Sequence, residues 1–215
     1  MAETTFSPSI LSYDDINKRV EQFLEDQHPS GTLPVPIEEI VDLNLRLNIF
    51  PFPGLQRDFD IDGFTSKDLT TIYVDEEIYS KRPARYRFTL AHEVGHLILH
   101  KDLIAAIHPK TVAEWQNFIL NVDQEVYDWL EWQAYSFAGL LLVPRNSLKR
   151  HFRRQLLALK DKIELVKSKG LPADSYREYL VDAIAHRLIR TYDVSMDVLT
   201  KRISKEIEKG LLIVP

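Results

Sequence analysis

The 215-residue chain contains no cysteine. That absence excludes a disulfide framework and every zinc site built on thiolates, and it suits a reducing compartment. Any metal must therefore be held by His, Asp or Glu. No apolar run approaches the roughly 20 residues that a membrane-crossing helix needs, and the opening stretch MAETTFSPSILSYDD lacks the basic and then apolar pattern of a signal peptide. The expectation is a soluble, cytoplasmic protein with no membrane partner. There is no internal repeat and no low-complexity tract. What is there, 45% hydrophobic and 27% charged residues, suits a globular chain long enough to bury a core.

The formal net charge of -5 conceals a change of sign along the chain. Residues 1–144 carry 11 Lys and Arg against 23 Asp and Glu, net -12, whereas residues 145–215 carry 16 against 9, net +7. The change falls at Pro144, just after the apolar AGLLLV, so a boundary is expected there between an acidic domain and a basic helical subdomain.

Coarse periodicity gives the architecture. In SYDDINKRVEQFLEDQ, Ser12 precedes an acidic turn and then Ile16, Val20, Phe23 and Leu24 at helical spacing, which predicts a first helix. IEEIVDLNLRL predicts a second, running into a short strand NIFPF that Pro51 and Pro53 should end. DIDGFTSKDLTTIYVD offers two runs joined by the polar SKD and predicts a β-hairpin. From Ser80 onward helix dominates, at about 82–100, 124–142 and several times in the basic part. The expected class is α+β, a small antiparallel sheet packed against helices, followed by an all-helical C-terminal subdomain.

Within the first of those later helices lies RFTLAHEVGHLILH, residues 87–100. His92 and His96 stand four apart, so on a helix they project from one face and their imidazoles can converge on one ion. Glu93 sits on the adjacent face, where a carboxylate can reach a water at that ion. This is the HExxH pattern of zinc peptidases, set among apolar flanks with the small Gly95 between the histidines. His100 repeats the spacing, but at eight residues from His92 it lies about 12 Å further along the axis, too far to share a tetrahedral centre. It reads as a helix-end cation or a supporting residue. The later Gly and His of the metzincin pattern are absent.

A third ligand must come from another element. In EVYDWLEWQAYSFAGLLLVP, Glu131 shares a mostly apolar stripe with Ala134, Tyr135, Ala138, Leu141 and Leu142, where a lone carboxylate is costly unless paired or bound to metal. Ala134, Ala138 and Gly139 would let this helix come close to the His92 helix. Glu131 is the favoured ligand, with Asp128 and Glu125 as substitutes; the competing reading is a Glu at the stripe's edge reaching water, Arg85 or Arg87. A second donor for the oxyanion is also needed, and Tyr135, Tyr127, His100 and His108 are candidates.

RYRFTLAHEVGHLILH followed by EWQAYSFAGLLLVP resembles the ImmA/IrrE group of metallopeptidases, whose pattern runs R-F-T-L-A-H-E-x-G-H and then E-x-x-A-x-x-F-A-x-x-L-L-x-P. The upstream DGFTSKDLTTIYVD is similar to that group's hairpin, and the resemblance covers residues 34–144. It implies a zincin-like peptidase domain over 1–144, one divalent ion, zinc first and manganese second, held by His92, His96 and Glu131, and Glu93 as catalytic carboxylate. It further implies a cytosolic endopeptidase that cuts a helix-turn-helix repressor and so relieves transcriptional repression in stress responses or mobile elements. Tyr135 stands where relatives often carry Asn, so hydrogen bonding or the substrate pocket should differ there.

The basic part is less telling. LPADSYREYLVDAIAHRLIRTYDVSMDVLTKRISKEI predicts one helix capped at Asp174 or Ser175, with Ser175 and Glu178 as a capping box, and another starting at Ser195. Such a pair suits a helix-turn-helix, and suits a helical scaffold slightly better. Arg150, Arg153 and Arg154 could meet phosphates, an acidic partner or the chain's own acidic half. The rival function is a DNA- or protein-binding regulator with a structural metal, for which Glu93 would have no task.

Overall fold

Ser12 opens the first helix, α1 (Tyr13–Gln27), as predicted: its Oγ accepts from the backbone N–H of Asp15 at 3.2 Å, a cap that typically stabilises by about 1 kcal/mol. The computed structural model describes residues 10–66, 68–107 and 123–215. Ile16, Val20 and Phe23 of α1 are buried, and Phe23 meets Phe137 edge-on with ring centroids 5.9 Å apart. The second helix, α2 (Ile37–Glu39), is short and widens into a π-helical turn over Ile40–Asn44.

Strands β1 (Asn48–Phe52), β2 (Gly63–Thr65) and β3 (Thr71–Asp75) lie in the order β1-β3-β2. The expected hairpin is β2 and β3, antiparallel with Phe64 opposite Tyr73. β1, however, runs parallel to β3, so the sheet is mixed and not wholly antiparallel. A parallel pair needs a crossover, and the chain supplies one through a helical turn, α3 (Leu55–Phe59), and β2. Pro51 does not end β1 but sits inside it opposite Val74. An edge strand tolerates the missing N–H. Along β3, Ile72 and Val74 are fully buried, while Tyr73 between them turns to the other face and stacks on Phe64 at 4.9 Å.

Asp75 ends β3 and starts α4 (Glu76–Lys81), accepting from the N–H groups of Glu77 and Ile78. Next comes α5 (Pro83–Ile107), with proline at a first-turn position where its missing N–H costs nothing. The helix was expected to stop at residue 100; it passes through a kink at His100, whose φ of -129° and ψ of 19° leave the helical region, and goes on to Ile107. α6 (Gln124–Leu142) follows. The class is α+β, as the pattern predicts.

The chain divides into two compact units, one of Met1–Gly31 and Pro36–Leu141, the other of Thr32–Val35 and Leu142–Pro215. The second unit contains α7 (Arg145–Ala158), α8 (Lys160–Ser168), α9 (Ala173–Tyr192) and α10 (Met196–Glu208). α9 begins earlier than its capping box suggested, with extended Pro172 as N-cap and Asp174 in the first turn; the fixed φ of proline sets the entry before Ser175 is reached. Ser195 caps α10 as expected, accepting from Val198 N–H at 3.3 Å. Here Glu206, 1% exposed, is gripped by Arg202 at 2.7 Å and Arg145 at 3.1 Å, and Arg202 also donates to the Val143 carbonyl. Among the described residues no helix is long and apolar enough to cross a membrane.

Candidate metal centre

Two close approaches bring the site together. The first is between β2 and α5. A Cβ on Gly63 would lie 2.6 Å from the Tyr73 carbonyl oxygen and 2.8 Å from Thr89 Cγ2, so only glycine allows the helix this near. Strand side chains repeat every two residues and helix faces every four. Thr65 therefore faces Glu93 as Gly63 faces Thr89, and Thr65 Oγ1 donates to Glu93 Oε2 at 2.9 Å.

The second approach is between α5 and α6. A Cβ on Gly95 would stand 3.1 Å from the Ala134 carbonyl oxygen and 3.2 Å from both Ala134 Cα and Phe137 Cβ. Leu90, Ala91 and Val94 bury α5 on its inner side, and Ala134, Phe137 and Ala138 do the same for α6; each large apolar side chain so buried stabilises by about 1.5–3 kcal/mol. Glu131, one turn before Ala134, is thereby carried to the two histidines.

His92 Nε2 and His96 Nε2 lie 3.0 Å apart, and Glu131 places Oε2 at 3.3 Å from the first and Oε1 at 3.3 Å from the second. These three residues form the one His/Asp/Glu cluster among the described residues whose donor atoms converge, all within 4.8 Å of one another. Ligands about 2.0–2.1 Å from a tetrahedral ion are separated by roughly 3.3 Å, so the donors have the spacing and the chemistry to hold a divalent cation, with two imidazoles and one carboxylate. His92 Nδ1 is buried without a hydrogen-bond partner.

The electrostatics separate the two carboxylates. Burial would raise the Glu131 carboxyl, but the hydrogen bonds and charges of His92 and His96 outweigh it and hold the group well below the usual carboxylate range. Glu93, 6% exposed, is pushed up by burial, against the lowering influence of His96 and Thr65. One carboxylate stays anionic with the histidines; the other is poised to take a proton.

The other predicted residues divide. Asp128 is exposed and accepts from Gln124 at 2.7 Å, and Glu125 is exposed as well, so neither takes part in the cluster. Arg85 pairs with Asp62 through two contacts of 2.6 Å, not with Glu131. Tyr127 and Tyr135 line the cleft over the cluster together with Phe64, Thr65 and Phe88. Tyr135 belongs to the Glu131 stripe yet is 56% exposed, its ring 4.6 Å from that of His92 and 5.6 Å from that of Phe88. Burial first, then nearby acids, pushes both phenols up, so they keep their protons. His100 is no helix-end cation: it is buried at the kink, its Nδ1 is 3.0 Å from His96 Nδ1, and burial pushes it down to about 3, leaving it neutral. His108 lies outside the described residues. Sequence patterns do not single out Thr65; its one signal is its place two residues after Gly63 in a predicted strand.

Residues 45–204 match the Peptidase_M78 family model, described as an IrrE N-terminal-like domain. No curated protein matches the chain. Among solved structures the chain is similar to a Mycobacterium tuberculosis transcriptional regulator, with 14% identity and a TM-score of 0.52 over 88% of this chain. The chain spans 46% of that protein's length, and at this identity the likeness is one of fold.

Proposed function

We propose, from the premise that the chain belongs to the Peptidase_M78 family with its IrrE N-terminal-like domain, that it is a metal-dependent endopeptidase cutting a peptide bond in a protein substrate. The observation that carries this reading is Glu93: adjacent to the His92, His96 and Glu131 cluster but outside it, buried, and held by Thr65 at 2.9 Å. A purely structural metal needs ligands and no such base.

His92 and His96, through Nε2, and Glu131, through its carboxylate, are the residues that would hold the ion. A divalent ion there supplies Lewis acidity, which makes water a nucleophile at neutral pH and polarises a carbonyl. Glu93 accepts the proton of the attacking water at its carboxylate and returns it to the leaving amine, with Thr65 holding the carboxylate in place. Of the four candidate donors for the oxyanion, Tyr127 and Tyr135 line the cleft with their phenol protons in place. Zinc is the first choice of ion, since tetrahedral His and carboxylate sets suit it, with manganese second.

The substrate we assign is a helix-turn-helix transcriptional repressor, whose cleavage relieves repression under stress; that the solved protein of similar fold is a transcriptional regulator supports a place in gene regulation. A cytoplasmic location follows from that substrate. We further propose that residues 1–144 carry the peptidase site and residues 145–215 act as a basic helical scaffold or substrate dock, with the exposed Arg150, Arg153 and Arg154 facing acidic surface in preference to DNA. The test compares wild type and Glu93→Gln, matched for bound zinc, for cleavage of repressors encoded beside the gene and for release of the repressed promoter in cells. Cleavage should fall about 10²- to 10⁴-fold; equal promoter release by both proteins would refute the peptidase reading.

A further inference from the structure

We infer that His100 is a positioning residue for His96: its Nδ1 accepts the Nδ1–H of His96 and so keeps the His96 Nε2 lone pair aimed at His92 and Glu131. This deepens the reading of the cluster as a cation site and rests on it. The two Nδ1 atoms are 3.0 Å apart with both rings largely withdrawn from solvent, His100 at 7% exposed. Two facing lone pairs at that separation repel, so one proton sits between the rings.

Which ring owns the proton follows from the far side of His96. His96 Nε2 faces His92 Nε2 and the Glu131 carboxylate, and a nitrogen can ligate a cation only through a lone pair. With that lone pair on His96 Nε2, the proton of the neutral His96 ring is on Nδ1, where His100 Nδ1 stands 3.0 Å away as its acceptor. The contact falls at the kink, where the backbone of His100 leaves the helical region.

The test uses the full chain. Zinc affinity is measured by competition with a chromophoric chelator for wild type, His100→Leu, His100→Ala and His100→Asn, with helicity recorded for each, and the His96 tautomer is read from imidazole nitrogen NMR of the zinc-free wild type. Loss of the acceptor in the Leu and Ala variants should weaken zinc binding about 10- to 100-fold, while Asn, whose Oδ1 replaces Nδ1 as acceptor, should stay within about threefold of wild type. His96 should carry its proton on Nδ1. Equal affinity in the Leu and Asn variants, or a His96 proton on Nε2, overturns the inference while leaving the cation site standing. Wild type that binds no zinc overturns the cation site itself, and the positioning role falls with it. The tautomer is read on wild type, so the result does not depend on whether each variant folds.

Discussion

Thr65 Oγ1 and Glu93 Oε2 are joined by a 2.9 Å hydrogen bond across 28 residues of chain, from the last position of β2 to the buried side of α5 that faces it. It holds a buried carboxylate that lines the same cleft as His92, His96 and Glu131. Its loss should therefore appear in catalysis before it appears in metal content.

Thr65→Val keeps the shape and removes the donor. A hydrogen bond to a charged group contributes about 1.5–3 kcal/mol, so cleavage should fall roughly 10- to 100-fold with bound zinc unchanged, and Thr65→Ser should recover most of it. Steady-state kinetics beside metal analysis checks this. A Val variant of full activity would show that Glu93 orients itself.

Glu131→Ala removes one of three donors and leaves the apolar side of α6 intact, so helicity should persist while zinc affinity collapses. Asp128→Asn, one turn away and exposed, is the control and should bind zinc like wild type. Titration of both variants decides; a Glu131→Ala protein with wild-type affinity would remove Glu131 from the ligand set.

Gly95→Val asks whether the close approach of α5 and α6 is required. Its side chain would press on the Ala134 backbone and Phe137 Cβ, where a single Cβ already stands at 3.1–3.2 Å. Overpacking of this kind costs about 1–3 kcal/mol, and the displaced α6 should weaken zinc binding as well as lower the melting temperature. Loss of stability with affinity untouched would mean that Glu131 follows the shift.

Glu206→Gln tests the second unit alone. Removing one charge from a buried ion cluster takes away the acid that Arg202 and Arg145 share and costs about 3–5 kcal/mol, whereas replacing all three ions, Arg145→Met and Arg202→Met with Glu206→Leu, should cost less than the single change. Denaturant melts of wild type, Glu206→Gln and the triple variant give the comparison, and a triple variant less stable than Glu206→Gln would overturn it.

What the sequence makes legible is local. His92 and His96 meet because a helix brings i and i+4 together, and the hairpin of β2 and β3 follows from alternation around a polar turn. Glu131 is harder, readable only because a carboxylate on an apolar stripe needs an explanation. The direction of β1 is not written in its residues: alternation has the same period in parallel and antiparallel strands, and NIFPF reads alike in both. Thr65 is hidden for a related reason, since a threonine in a strand is ordinary until the helix opposite is in place. The His100 contact falls at a backbone departure that three evenly spaced histidines do not announce.

The Gly95 and Ala134 contact sets more than a distance. Because it presses backbone to backbone, it locks the rotational phase of α6, and Glu131 lies three positions before the locked residue. One residue inserted between Glu131 and Ala134 would turn everything before the insertion by about 100°, so that the helix could still pack while offering the histidines a different side chain. The centre is thus more vulnerable to a change of length in those few positions than to most changes of composition around them, and a lineage that altered that spacing would retain the fold as a binding scaffold without its chemistry.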